Sequence, residues 1–281
     1  MGTALGGRLA LPPLHWTAEA EWMDAPGHDP AILLDNLGDL RRVNRWVGGV
    51  WLTVQALERL TAHLPPGAPL SVLDLATGGA DIPRAIVRWA RRRGLRARVL
   101  ATDLSPEIVA LARQGVGDRG QRPGARSERG DQIGGYGSGR TRHEGSAPGP
   151  RPLTPTPWFA VADARCLPFA DASVDVVTCS LALHHQLPDD GVAMLAEMRR
   201  VARLGIVVND IVRCWKGYWG AWLLSRVASR NPLTRHDGPL SVRRAYTRPE
   251  MVALARRAGL GPLAFRGFLG YRVAMTARVA A

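Results

Sequence analysis

Lysine is almost absent from this 281-residue chain: of its 37 Lys and Arg residues, only Lys216 is lysine. A lysine-dependent phosphate loop is therefore not expected. The formal charge of +13 invites a nucleic-acid reading. Yet the skew to arginine, alongside 31 Gly and 21 Pro, fits the mutational bias of a G/C-rich genome better than selection for phosphate contacts. Nucleic acid is not the expected partner. Cysteine is also scarce. Cys166, Cys179 and Cys214 make neither a metal-ligand pair nor a disulfide framework, so reduced thiols, a cytoplasmic setting and no metal site are expected. No apolar run reaches the roughly 20 residues that span a bilayer. Residues 1–13 lack a charged start leading into a long apolar core, so no signal peptide is expected. Peripheral contact with a membrane stays open, as does the choice between monomer and homodimer. A hydrophobic fraction of 46% is enough for a large core.

Val72 to Pro83 organises the rest. An apolar run carrying Asp74 breaks into Ala76-Thr77-Gly78-Gly79-Ala80 and then Asp81 and Pro83. The pattern reads as buried strand, tight turn and helix start, with Asp81 as N-cap. Free N–H groups at a helix start, approached across small side chains, suit an anionic or highly polar ligand. Before it, a Gly-, Pro- and Ala-rich arm (1–30) precedes a helical pair broken at Gly48-Gly49, which is read as a lid. After it, strands at 97–102, 158–163, 174–180 and 205–210 alternate with helices, the pattern of a parallel, doubly wound α/β sheet. Residues 115–157 have few large apolar side chains and read as a disordered insertion, with eight Arg against four acids between Arg113 and Arg151. Residues 214–227 are aromatic and apolar, Arg235 to Pro239 reads as a loop, and Thr247 to Glu250 as a capping box. The last strands are expected between Phe265 and Thr276. The domain reading is an arm and lid over 1–69 and a ligand-binding domain over 70–281.

Asp74, Asp103 and Asp163 each close a consecutive strand, so their side chains share one rim of the sheet. A carboxylate after the second strand suits vicinal ribose hydroxyls, and an acid after the third suits an adenine amino group. With these residues the chain resembles the class I S-adenosylmethionine-dependent methyltransferases. The matching stretches are Asp74-Leu75-Ala76-Thr77-Gly78-Gly79-Ala80-Asp81, Thr102-Asp103-Leu104-Ser105, Asp163-Ala164 and Asp175 to Ser180. The resemblance covers about residues 70–281 and implies a Rossmann-like sheet of about seven strands binding S-adenosylmethionine. It implies that Asp74, Ala76, Thr77, Gly78 and Ala80 line the methionine and ribose side. Asp103 and Leu104 would meet the ribose and adenine, Asp163 and Ala164 the adenine, and Ser180 completes the cofactor set. Ala76 and Ala80 replace the usual glycines; they fit the turn if their φ angles are negative. They answer a dinucleotide fingerprint poorly.

Methyl transfer from a sulfonium needs alignment and, for many acceptors, removal of a proton. His184 and His185 follow the fourth strand on the ligand rim, and an imidazole near pKa 6.5 suits a base. Asp210 and His236 are weaker candidates. Trp215, Trp219 and Trp222 either wall an acceptor pocket or pack in the core, and His236 joins them as a substrate-side residue. The expected reaction is O-methylation of a hydrophobic small molecule of phenolic, polyketide or quinone-like type. The competing readings are RNA or protein methylation through the Arg-rich segments and a non-catalytic cofactor-binding protein.

Overall fold

The apolar runs at Pro69–Leu75 (β1), Arg96–Asp103 (β2), Trp158–Val161 (β3), Val174–Ser180 (β4) and Ala202–Ile211 (β5) pair in parallel, with β1 between β2 and β4. Leu263–Phe268 (β6) and Arg272–Arg278 (β7) close the sheet antiparallel to β5, giving the order β3-β2-β1-β4-β5-β7-β6. A computed structural model describes residues 13–117 and 157–279. The seven-stranded, Rossmann-like α/β sheet expected from the sequence is thus present. The Arg-rich stretch read as a disordered insertion lies mostly outside the described residues, and its first residues belong to a helix that runs from Pro106 to Gly117.

Helices form where apolar residues recur every three or four positions and cover both sheet faces. In α1 (Pro30–Trp46), Asp29 accepts from the Ala31 N–H at the N-terminus. Gly48, at φ 83°, turns the chain into α2 (Gly49–Leu60). A side chain at Gly49 would meet Asn44 Oδ1 at 2.4 Å, so this junction needs the close approach that glycine allows. The helix α2 is not a lid. Its Leu52, Ala56, Leu57 and Leu60 are buried with Ile86 and Trp89 of α3 (Asp81–Arg92) against Val72, Val176 and Val207. Of the pair it is α1 that reaches the turn after β1, its Leu37 lying beside Gly78 and Gly79.

On the opposite face, α5 (Pro188–Val201) buries Met194, Leu195, Met198 and Val201 against Leu73, Val177 and Ile206. It shares that core with Met251, Leu254 and Ala255 of α8 (Arg248–Arg257). The expected capping box at Thr247 and Glu250 is formed. In sequence order, Pro106–Gly117 is α4, Trp215–Ala228 is α6 and Pro232–Arg244 is α7. The last of these corrects a reading: Arg235 to Pro239 is helical, not a loop. Asn231 accepts from the Leu233 and Thr234 N–H groups as N-cap, with Pro232 at N1. Pro239 removes the bond that the Arg235 carbonyl would accept, and Arg226 Nη1 donates to that carbonyl instead at 3.4 Å.

Candidate functional site

At the C-terminal end of β1, Asp74 is buried and accepts from Thr178 Oγ1 at 2.6 Å. The turn that follows is left-handed at Ala76 (φ 50°), Gly78 (φ 51°) and Ala80 (φ 54°). The two alanines therefore depart from the negative φ expected of them, a conformation costing about 1–2 kcal/mol per residue. Asp81 is the first helical residue of α3 and not its cap; Ala80 occupies the cap position with no side-chain bond. Within the turn, Thr77 N donates to Thr102 O and Ala80 N to Thr77 O, each at 2.9 Å.

Asp103, at the end of β2, reaches back across the turn. Its Oδ2 accepts from Gly78 N at 3.0 Å and its Oδ1 from Ser105 N at 3.2 Å. Burial raises the Asp103 carboxyl against the bonds from Gly78, Ser105 and Leu104. Burial likewise raises Asp81, against hydrogen bonding and the nearby Arg272 and Arg41 charges. Asp74 is pushed up to about 7 by burial, with the charges of Asp81 and Asp103 adding to it against the hydrogen bond from Thr178. Leu104 leaves 62% of its surface exposed on the same rim. Asp163 lies just beyond β3 and is gripped by its neighbour. Arg165 donates to Oδ2 at 2.8 Å and through its backbone N–H to Oδ1 at 2.8 Å, which holds the carboxyl below its usual range. Ala164 stands between the two.

Ser180 ends β4, where its Oγ accepts from Arg272 Nη2 at 3.1 Å. Arg272 is a functional candidate that the sequence reading missed. Its guanidinium is buried, donates to Asn209 Oδ1 at 2.9 Å and Asn44 Oδ1 at 2.6 Å, and leaves Nη1 without a hydrogen-bond partner. Burial lowers its pKa to about 10, against the charges of Asp210 and Asp81.

His184 and His185 lie on a 3-10 turn (Leu183–His185) just past β4. His184 Nδ1 is 2.6 Å from Asp210 Oδ1 on β5, and His185 Nδ1 is 2.9 Å from Asp24 Oδ2. Glu21, from the N-terminal arm, is buried beside both, with Oε1 3.5 Å from His184 Nε2 and Oε2 3.7 Å from His185 Nε2. Burial favours a neutral His185 ring, but Glu21, Asp24 and Asp210 outweigh it and push His185 up to about 9. His185 thus departs from the ordinary base expected of it. Asp210 is held low: burial raises it, but the His184 charge and hydrogen bond prevail.

The arm is pinned to the rim. Arg244 donates from Nε to His184 O at 3.1 Å, from Nη2 to His185 O at 2.7 Å, and from Nη1 to the carbonyls of Ala18 and Glu19. Asp237 accepts from the Trp22 and Met23 N–H groups, and Trp22 stacks on His236 at 3.7 Å. No sequence signal marked the arm as part of the site.

A methyltransferase-domain model matches residues 140–208. The chain is 26% identical over 245 residues to a ubiquinone/menaquinone biosynthesis C-methyltransferase, UbiE, of Cupriavidus taiwanensis, covering 83% of this chain and 82% of that one. It is 27% identical over 191 residues to the Ralstonia pickettii enzyme of the same name, covering 67% of this chain but 60% of that one. The fold is similar to a SAM-dependent methyltransferase from Aquifex aeolicus, with a TM-score of 0.53 at 16% identity over 90% of this chain and all of that one. It is also similar to the CurJ carbon methyltransferase, with a TM-score of 0.57 at 12% identity over 90% of this chain and 62% of that one. In sequence and fold the chain is thus similar to the class I S-adenosylmethionine-dependent methyltransferases.

The rim fits S-adenosylmethionine and not a phosphate. Asp74, Asp81 and Asp103 cluster at the turn with carboxyls raised by burial, an arrangement that a ligand carrying ammonium and sulfonium charges relieves. Asp81 Oδ2 has no hydrogen-bond partner, and Arg272 Nη1 offers a donor suited to a carboxylate. The expected substrate-side tryptophans fare differently. Trp219 and Trp222 are 55% and 37% exposed on α6, so they are not core residues. Trp215 is half-buried and meets Tyr218 edge to face. His236 sits against the arm, its Nδ1 2.7 Å from Asp237 Oδ1. No helix among the described residues is long and apolar enough to cross a membrane.

Proposed function

We propose that this methyltransferase methylates a carbon atom of a hydrophobic small molecule bearing an ionisable hydroxyl, of phenolic or quinol type. The observation that carries the reading is the histidine pair on the cofactor rim, each Nδ1 held by a carboxylate, in a chain whose relatives are named as quinone C-methyltransferases. Bound at the turn, S-adenosylmethionine supplies a methyl group on a positively charged sulfur. Asp74 and Asp81 would hold the ammonium end, Arg272 and the turn the carboxylate, Asp103 the ribose, and Leu104, Asp163 and Ala164 the adenine.

The remaining task is to make the acceptor nucleophilic. Loss of the hydroxyl proton drives electron density into the ring, so one deprotonation activates both the oxygen and the carbon beside it; alignment then selects the atom. His184, oriented by Asp210, is suited to take that proton, and a cationic His185 is suited to stand beside the resulting oxyanion. An open apolar groove lined by Trp22, Ala25, His28, Ile32, Pro232 and Leu233 adjoins the arm and suits a hydrophobic acceptor.

The test is incubation of the full chain with methyl-labelled cofactor and a substituted hydroquinone, a simple phenol and a polyketide-type enol, with the product solved by NMR. Label on ring carbon is expected, and label confined to oxygen overturns the carbon assignment. His184→Ala and His185→Ala should each lose turnover while retaining cofactor binding. Unchanged turnover in both would remove the pair from the chemistry.

A further inference from the structure

Glu21 lies more than 160 residues before the adjacent His184 and His185, yet the three donor atoms lie within 4.8 Å of one another. Glu21 and His184 are each 3% exposed and His185 is 19% exposed. The Nε2 to carboxylate separations of 3.5 and 3.7 Å are too long for good hydrogen bonds. They approach the spacing of about 3.4 Å between ligand atoms around a tetrahedral ion with bonds near 2.0–2.1 Å.

The surroundings repeat the pattern. Both imidazoles engage a carboxylate through Nδ1, His184 with Asp210 at 2.6 Å and His185 with Asp24 at 2.9 Å. A proton fixed on Nδ1 turns the Nε2 lone pair outward, the state in which histidine ligates metal. Once an ion displaces the Nε2 protons, as metal binding requires, two such lone pairs face a buried carboxylate whose Oε1 has no hydrogen-bond partner. Glu21, Asp24 and Asp210 bring three negative charges. The Arg244 guanidinium beside them is engaged with the carbonyls of Ala18, Glu19, His184 and His185.

We propose that Glu21, His184 and His185 form a binding site for a divalent transition-metal ion, zinc by preference. Two imidazoles and one carboxylate are a ligand set that zinc and its first-row neighbours accept, and three protein ligands leave a position open. His185, the least buried ligand, marks the side from which a further ligand enters. Resting on the acceptor reading above, that ligand is the acceptor's oxygen, and in the loaded site the ion would replace the His184 base and the cationic His185 in favouring its anion.

The test reads metal alone, with neither cofactor nor acceptor present, so its failure leaves the methyltransferase reading intact and the converse also holds. The full chain is stripped with a chelator and titrated with zinc sulfate by calorimetry, then loaded with cobalt(II) for its visible spectrum. One equivalent per chain and tetrahedral cobalt bands are expected. Glu21→Gln and His185→Ala should each weaken zinc at least 100-fold, and Asp24→Asn about 10- to 100-fold, as expected for a group that orients a ligand. His63→Ala, on an exposed turn, is the control. His185→Ala alters a half-buried side chain and keeps the test usable if Glu21→Gln fails to fold. Absence of saturable one-to-one binding, or equal affinity in His185→Ala, overturns the proposal.

Discussion

Thr178 Oγ1 donates to Asp74 Oδ1 at 2.6 Å, and the two residues are direct partners across the parallel pairing of β1 and β4. This bond opposes burial, which nevertheless holds the Asp74 carboxyl at about 7. A ligand that places an ammonium group there requires the ionised form. Affinity for S-adenosylmethionine should therefore rise about tenfold between pH 6 and pH 8 and then level off. Calorimetry at pH 6 in two buffers of different ionisation enthalpy should detect proton release on binding. A flat affinity from pH 6 to 8 would remove Asp74 from the ammonium contact.

The same carboxyl governs the stability of the ligand-free chain. Its folded pKa, about 7, lies above the unfolded value of 3.8, so between them the folded state holds the extra proton. The Asp74 contribution is therefore greatest below pH 4 and is lost as pH rises toward 7, at up to about 1.4 kcal/mol per pH unit. Asp74→Asn keeps an acceptor for Thr178 and removes the charge. The variant should melt higher than the parent at pH 8, with the difference vanishing near pH 4, and should bind the cofactor more weakly. Denaturation curves at the two pH values decide this, and a variant less stable at pH 8 contradicts it.

Ala76 holds φ at 50° with its methyl exposed, so the strain is relieved without opening a cavity. Ala76→Gly should gain up to about 1 kcal/mol in urea denaturation, since release from the left-handed penalty of about 1–2 kcal/mol outweighs glycine's entropic cost of roughly 0.5–1 kcal/mol. Ala80, buried at the helix start, loses packing on the same change and should gain less. A destabilised Ala76→Gly variant would show that the turn carries no such strain.

Elements with a local signal were legible. The apolar run into Asp74 followed by five small residues could only turn at that point, and Ser105-Pro106 announced α4 through a cap that the structure forms, Ser105 Oγ accepting from Ile108 N at 3.2 Å. Residues whose meaning depends on distant partners were not. Glu21 sits in an arm without periodicity, and nothing nearby distinguishes it from a surface acid until His184 and His185 are brought to it. Arg272 opens a strand, where an arginine ordinarily reaches solvent; Asn44 and Asn209, far away in sequence, make its burial tolerable. The helix α7 was hidden by Gly238-Pro239, because the carbonyl freed by Pro239 is satisfied by Arg226 from a different helix.

Arg244 offers the clearest way to separate the arm from the rim. It is 5% exposed, and its guanidinium spans two histidine carbonyls on one side and the carbonyls of Ala18 and Glu19 on the other. Methionine at 244 fills much of the volume but donates no hydrogen bond. The arm would then be held chiefly by Asp237, through Trp22 and Met23, and by the Trp16 indole, which donates to the residue 244 carbonyl at 2.8 Å. Arg244→Met should therefore expose residues 14–24 to limited proteolysis at least tenfold faster, with the sheet still melting cooperatively. Because Glu21 travels with the arm, methyl transfer should fall in parallel while cofactor affinity changes little. Arg244→Lys should not restore the parent pattern, since one ammonium cannot span carbonyls that a planar guanidinium reaches in two directions. Peptide mapping by mass spectrometry reads the outcome, and an arm as protected in Arg244→Met as in the parent would show that Asp237 and Trp16 suffice to hold it.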